Sequence, residues 1–218
     1  MHIATLKHAL AEAVIQFIED DMVLGIGTGT TVEHFIPILA KQKHRIQGAI
    51  PSSYRTEKVL KTFSIPILDF HHHNTIDLYI DGADAFNAQK QLIKGAGGAL
   101  THEKILAYSA KKFICLVDES KPNQLLNNTP VPIEVLTLAR SCVGRELIQL
   151  GGQPNYRQGF ITDNHNIIID LHNIDLTDPL SMEITLKSIT GVVESGLFTK
   201  RTADTILLAT TKGMQRID

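Results

Sequence analysis

Within the first seventeen residues or so, Leu6, Leu10, Ala13, Val14, Phe17 and Ile18 recur at helical spacing, while Lys7, Glu12, Gln16 and Glu19 fall elsewhere. This predicts an amphipathic helix. Met22-Val23-Leu24-Gly25-Ile26 then reads as a short buried strand running into Gly27-Thr28-Gly29-Thr30-Thr31. Val32, Phe35, Ile36 and Leu39 restore a helical stripe, with Pro37 compatible only with the first turns of that helix. Strand, glycine turn and helix together open a βαβ unit.

The alternation continues with a strand over 46–50, a helix over 56–62, a short strand over 65–68 and a strand over 77–80 that ends at Asp81-Gly82-Ala83-Asp84. A glycine-rich stretch over 94–98 precedes a helix from about Thr101 to Ala110 and a strand over 113–117. Strands alternating with helices predict an α/β protein with a Rossmann-like parallel sheet and helices on both faces. Asn123, Asn127, Asn128, Pro130 and Pro132 form a linker-like patch. Beyond it a strand over 131–136 and a helix over 140–150 are expected. A strand pair at 161–162 and 167–171, a helix over 179–188 and a strand over 192–198 follow. That pattern describes a smaller α+β domain. The expected division is residues 1–127 with 200–218 against residues 128–199, the last strands (205–209 and a short one after Thr211-Lys212-Gly213) returning to the first domain.

At 218 residues the chain fits one or two domains of about 150 residues. With 43% hydrophobic and 20% charged residues it is no disordered acidic or basic tail. Lys and Arg number 21 and Asp and Glu 23, a formal charge of −2 that offers no basic surface to nucleic acid. An anionic ligand must therefore be met by local charge. Cys115, in an apolar run, and Cys142 suit a reducing compartment, with one disulfide left open. No apolar segment followed by a small-residue cleavage site opens the chain, and apolar runs stop at about six residues against the roughly 20 needed to span a bilayer. A cytoplasmic protein without membrane contact is expected. His71-His72-His73, with only Asp69 near, diverge along strand or loop and predict no metal site.

Four segments carry candidate chemistry. In Gly27–Thr31 the backbone can aim N–H groups at an anion, the following helix adds its N-terminus and three threonines add hydroxyls. It lacks the Gly-Lys-[Ser/Thr] of a Walker loop and the third glycine of a dinucleotide fingerprint. A tight strand-to-helix turn is the plainer reading; the hydroxyls favour a phosphate monoester. Asp81-Gly82-Ala83-Asp84 fits either a capped turn or a carboxylate pair in which one proton is held more tightly for acid–base work. Lys94-Gly95-Ala96-Gly97-Gly98 brings an ammonium into a flexible loop. Thr101 then reads as an N-cap and Glu103 as a first-turn residue, either complementing the helix dipole or serving as a base. Lys121 stands at the same sheet edge after Asp118-Glu119-Ser120, and Lys7 is a further cation.

Together these segments resemble the ribose-5-phosphate isomerases of the A type. The matching stretches are 25–31, 81–84 with Asn87, 94–103, 113–121, 132–140, 156–159 with 162–164, and 191–197 with Ala203-Asp204. Several motifs in one order are more specific than any one alone. The resemblance implies interconversion of ribose 5-phosphate and ribulose 5-phosphate without metal or organic cofactor, in the non-oxidative pentose phosphate pathway. It matches the family's base to Glu103, its paired aspartates to Asp81 and Asp84, its loop lysine to Lys94 and its phosphate-side residues to Thr28, Gly29, Thr30, Thr31 and Lys121. Lys7 joins the phosphate side, and Gly82, Ala83, Gly95, Ala96 and Gly97 line the substrate. A homo-dimer or homo-tetramer is implied as well.

The chemistry of the residues agrees. An enediolate route needs one carboxylate that reaches C1 and C2, donors for the developing oxyanion and a clamp on the phosphate. The chain departs from the family at Ala85, where an acidic residue is common, at Ala96, where glycine is usual, and at His102, where arginine is frequent. Two rivals come from other classes. A sugar-phosphate-sensing domain of a transcription regulator would normally carry a helix-turn-helix, and residues 1–20 supply one helix. An acyl-CoA transferase relative would need a CoA site.

Overall fold

The computed structural model describes residues 3–73, 75–121 and 126–218. In chain order it runs α1 (Ile3–Val14), β1 (Met22–Ile26), α2 (Thr30–Ala40), β2 (Ile46–Pro51), α3 (Tyr54–Thr62), β3 (Ile76–Gly82), β4 (Ala85–Phe86), β5 (Leu92–Ile93) and α4 (Leu100–Ser109). It continues with β6 (Ala110–Asp118), β7 (Val131–Val135), α5 (Arg140–Gln149), β8 (Gln153–Tyr156), β9 (Ile167–His172) and α6 (Pro179–Ser188). The last elements are β10 (Val192–Ser195), β11 (Leu197–Phe198), β12 (Thr205–Thr210) and β13 (Gly213–Ile217). Two compact units divide the chain, Met1–Ala83 with His102–Lys121 and Ala203–Asp218, and Asp84–Thr101 with Pro122–Thr202.

The first unit is built on a six-stranded sheet in the order β13-β12-β6-β3-β1-β2, parallel except for the antiparallel edge pair β12–β13. Strand residues alternate faces. Leu24, Ile26, Leu78, Ile80, Ile114 and Leu116 gather with Leu6 and Leu10 of α1, Phe35, Ile36 and Leu39 of α2 and Leu60 of α3 into one buried apolar cluster. The alternate positions place Gly25, Tyr79 and Phe113 on the other face, where the two rings lie 4.9 Å apart. The amphipathic α1 is as expected, with Ile15–Phe17 closing in a 3₁₀ turn.

In the second unit, β10-β7-β9-β8 form an antiparallel sheet and β11-β5-β4 a small one. Val131, Ile133, Val135, Ile167, Ile169 and Leu171 pack with Val143, Leu147 and Leu186 as its core. Residues 84–101, expected with the first domain, belong here, because β4 and β5 pair with each other and β5 with β11.

Several expected elements differ. Pro37 sits inside α2, past its first turns, where packing of Phe35, Ile36 and Leu39 overrides the missing N–H. Helix α3 starts at Tyr54, two residues early, because the Ser53 side chain accepts from Thr56 N and caps it. Residues 65–68 make only a single parallel bridge, Ala49 to Ile67. Thr101 is not an N-cap but lies within α4, which begins at Leu100. Residues 161–162 form no strand; Thr162 opens a turn in which its N–H donates to Asn166 O at 2.9 Å, and β8 is the strand that pairs with β9. The expected strand over 192–198 splits at Gly196, where a Cβ would stand 2.1 Å from Lys94 O. Of the expected linker, Pro132 lies inside β7 and Asn123 outside the described residues.

Candidate active site

The winding of the first unit's sheet locates its ligand edge. The chain leaves β1 toward β2 on one side and returns to β3 on the other, so the direction reverses between β1 and β3. Open parallel sheets bind ligands at such a reversal, beyond the carboxyl ends of the strands. The 27–31 turn follows β1, Asp81 is the penultimate residue of β3 and Lys121 follows β6, so all three sit at that edge.

Gly27 follows the last residue of β1 and its N–H donates to Ile80 O at 2.9 Å. A Cβ on it would stand 1.9 Å from Asp81 Cγ, so glycine alone lets turn and carboxylate meet. Asp81 is fully buried. Its Oδ1 accepts from Thr28 N at 3.1 Å and Gly82 N at 2.7 Å, while the Tyr79 hydroxyl donates to Oδ2. Burial first, and then the negative charges of Asp81 and Glu103, hold the Tyr79 phenol well above its ordinary range. It therefore remains a donor at neutral pH. Glu103, in the first turn of α4, is 2% exposed and is the nearby charge that Tyr79 senses.

The threonines divide their work. Thr28 Oγ1 lies 2.8 Å from Ser52 Oγ and donates to Ser53 Oγ at 2.8 Å, and Thr56 donates to Gly27 O at 2.8 Å. This hydroxyl cluster after β2 fixes the turn. Gly29, at φ +131, is the N-cap of α2 and offers no side chain, so the first N–H groups of that helix are left for an anion. Lys7 Nζ donates to Thr30 Oγ1 at 2.6 Å, which brings a cation to the same turn. Thr31 is buried. The Lys121 N–H donates to Asp118 O at 3.0 Å, and Asp118 Oδ1 accepts from Ser120 N at 3.0 Å, which shapes the turn that carries the lysine.

In the second unit, Asp84 N donates to Ile93 O at 2.8 Å and Asp84 Oδ2 accepts from Ala96 N at 2.9 Å, so the aspartate holds the 94–98 loop. Lys94 is 2% exposed, its N–H on Gly196 O and its ammonium 5.5 Å from the Phe198 ring centroid. Arg157 donates to Ala96 O at 3.0 Å and is itself held by Asp170, which pins the loop from its carbonyl side. The loop's positive φ angles fall at Gly95 and Gly98, not at Ala96, so the alanine is unstrained. Ala85 lies in the apolar core of this unit, a place unfit for an acidic side chain.

Sequence reasoning did not single out Tyr79, Ser52, Ser53 or Thr56. The signal for the last three was their position straight after a strand that ends at the ligand edge. Tyr79 carried no signal, since an aromatic in a buried strand reads as core. Among the described residues His71 and His72 bond to Asp69, at 2.8 Å through the His71 N–H, 3.1 Å from the His72 N–H to Asp69 O and 3.2 Å through His72 Nδ1. Both cysteines are free thiols, Cys115 buried and Cys142 exposed. No helix among the described residues is long and apolar enough to cross a membrane.

A helix N-terminus with an adjacent lysine, and buried carboxylates beside it at a sheet reversal, define an α/β enzyme class that seats small anionic substrates next to acid–base groups. Comparison with known proteins narrows the class. Residues 48–213 match the family model for ribose 5-phosphate isomerase A (phosphoriboisomerase A). The ribose-5-phosphate isomerase A of Legionella pneumophila (strain Lens) is 49% identical over 212 residues, covering 97% of this chain and 98% of that one. The crystal structure of ribose 5-phosphate isomerase A from Neisseria gonorrhoeae superposes with a TM-score of 0.96 at 40% identity, over 98% of this chain and 96% of that one. A structure of D-ribose-5-phosphate isomerase in complex with phospho-erythronic acid gives 0.96 at 39% identity over the whole of both chains. The chain belongs to the ribose 5-phosphate isomerase A family.

Proposed function

We propose that this chain interconverts D-ribose 5-phosphate and D-ribulose 5-phosphate through an enediolate, in the non-oxidative pentose phosphate pathway. The observation that carries the reading is the buried pair Asp81 and Glu103 around Tyr79, next to the uncapped N-terminus of α2 with Lys7 beside it. Nothing in the comparisons favours the sensor-domain alternative.

In this reading the phosphate sits in the 28–31 turn, held by the N–H groups of Gly29, Thr30 and Thr31 and the hydroxyls of Thr30 and Thr31. Thr28 fixes the turn through Asp81 and Ser53, and Lys7 and Lys121 supply charge. That grip fixes the distant carbons. Glu103 takes the C2 proton of the open-chain aldose and returns it to C1. Lys94 and the N–H groups of Gly95 and Gly97 stabilise the oxyanion as it forms, while the Ala96 N–H, held by Asp84, keeps the loop lining the sugar. Asp81 and Asp84 move hydroxyl protons, including the one released on ring opening, and Gly82 and Ala83 line the sugar. Asp81 is held in place for this by Thr28 N, Gly82 N and the Tyr79 hydroxyl, which all donate to it. Phospho-erythronic acid carries a planar carboxylate where an enediolate spreads its charge, and its binding to a relative fits this chemistry.

The enzyme works in the cytoplasm as a homo-dimer or homo-tetramer to which the smaller domain contributes. The free thiols support a reducing compartment, and the exposure of Leu136 and Leu138 (99%) in the second unit supports self-association, readable by light scattering.

The test is to follow ketose formation from ribose 5-phosphate in EDTA. Turnover is expected without added metal. Glu103→Gln is expected to lose most of kcat while still binding substrate; near-normal kcat in that variant removes Glu103 as the base.

A further inference from the structure

Glu134 is the penultimate residue of β7 and is fully buried. Its neighbours Ile133 and Val135 enter the apolar core of the second unit, so strand alternation turns Glu134 to the other face. There its carboxylate accepts from the hydroxyls of Thr101 and Thr162, the latter at 2.8 Å, and from the carboxamides of Asn164 at 3.1 Å and Asn166 at 2.9 Å. Every one of these donors is neutral. A buried carboxylate met by neutral donors is a poor source of stability, because desolvation offsets what the hydrogen bonds return. It is, however, a strong means of fixing geometry.

What it fixes falls into two parts. Thr162, Asn164 and Asn166 belong to one turn, closed by His165 N on Thr162 O at 2.9 Å and by Asn166 N on Thr162 Oγ1 at 3.1 Å. That turn is a rigid clip on the carboxylate. The remaining donor, Thr101, is in the first turn of α4, the helix that carries Glu103. At about 100° per residue, positions 101 and 103 point to nearly opposite sides of the helix. Tethering Thr101 therefore sets the rotation of the first turn about its axis, and with it the direction of Glu103. The first turn of a helix is also where fraying begins, so an anchor there acts at the weakest place.

We infer that Glu134 is a positioning residue for the isomerisation, acting through the Thr101 hydroxyl to aim the carboxylate of Glu103. The inference rests on Glu103 being the base. A misplacement of about 1 Å at a reacting group lowers rate by about 10²-fold, and partial loosening of one turn should give part of that.

The experiment compares Thr101→Val, Thr101→Ser, Glu134→Gln and Glu103→Gln with the wild type by kcat, KM, the pH dependence of kcat and thermal melting. Thr101→Val keeps shape and loses the hydroxyl. Its kcat should fall by about tenfold with KM within about twofold, and the acid limb of its pH profile should shift. Thr101→Ser should regain most of the lost kcat. Glu134→Gln should lose at least as much as Thr101→Val, with the same displaced pH limb. The inference is overturned if Thr101→Val keeps kcat within twofold, if KM rises in place of a fall in kcat, or if serine fails to rescue. Should Glu134→Gln not fold, the valine and serine pair decides. Glu103→Gln separates the two claims: activity there removes the base assignment, whereas an inactive Glu103→Gln beside an unimpaired Thr101→Val removes only the role of Glu134.

Discussion

Replacing Gly27 by alanine tests whether the glycine turn and the aspartate are one device. The new Cβ would stand 1.9 Å from Asp81 Cγ and 2.0 Å from its Oδ1, where ordinary contact begins at 3.4 Å. The carboxyl must retreat by about 1.5 Å, the difference of those first and last figures. That breaks the 3.1 Å bond from Thr28 N and disturbs the donation from Tyr79. Overpacking a filled site costs about 1–3 kcal/mol, and losing a hydrogen bond to a charged, fully buried group about 1.5–3 kcal/mol. At roughly 2–4 °C per kcal/mol for a chain of this size, Tm should fall by about 5–24 °C. The protein should still fold at 25 °C, with kcat lowered about 10²-fold by the displaced Asp81. Gly213→Ala is the control. Its φ of +128 imposes backbone strain, but no atom lies within 4 Å and β13 stands three strands along the sheet from β3, which carries Asp81, so Tm should drop slightly and kcat hold. Calorimetry and the ketose assay read both variants. A folded Gly27→Ala enzyme with kcat within threefold of wild type would refute the coupling of turn and carboxylate.

Lys121→Ala should raise KM for ribose 5-phosphate with little change in kcat, and an unchanged KM in steady-state kinetics takes that lysine out of the phosphate grip. Burial tends to raise the Asp77 pKa, but the Lys111 ammonium at 2.7 Å and the Val23 N–H at 2.9 Å outweigh it and hold the carboxyl below its ordinary value. A depressed folded pKa adds stability above the unfolded value near 3.9 and loses it as pH falls through the folded one. Urea melts of Asp77→Asn should thus show a deficit of about 1 kcal/mol at pH 7 that shrinks as pH falls below the ordinary carboxylate range; a deficit independent of pH contradicts this. A thiol reagent such as DTNB should titrate one cysteine in the native enzyme, the exposed Cys142, and two after denaturation, since Cys115 is fully buried. Fast labelling of both in the native state speaks against that burial.

Much of the first unit was legible because its elements are locally consistent. Met22–Ile26 is uniformly apolar, glycines follow at once, and an amphipathic stripe begins after them. The family resemblance rests on the same ordered motifs. Illegible elements lacked a local signal. Strand β8, Gln153-Pro154-Asn155-Tyr156, is polar, half exposed and at a sheet edge, so only its pairing with β9 makes it a strand. The run 192–198 looked like one strand because nothing local says that β10 and β11 enter different sheets. Among site residues, Glu103, Lys94 and Asp81 stood next to glycines and helix starts and drew notice. Glu134, in an apolar strand, was not singled out, and its partners come from the first turn of α4 and from the 162–166 turn, 28 to 33 residues away. Tertiary contacts of that span leave no trace in periodicity.

The strand order carries a consequence for biosynthesis. β12, near the carboxyl terminus, lies between β6 and β13, and Leu207 and Ala209 help fill the core that α1 and α2 close. A nascent chain leaving the ribosome therefore holds its first helices and four parallel strands with one sheet edge unfinished until residues 205–210 are free. Stop codons or proteolysis anywhere before Thr205 would leave that edge open, and such fragments belong to the clientele of chaperones and proteases rather than to the pool of working enzyme.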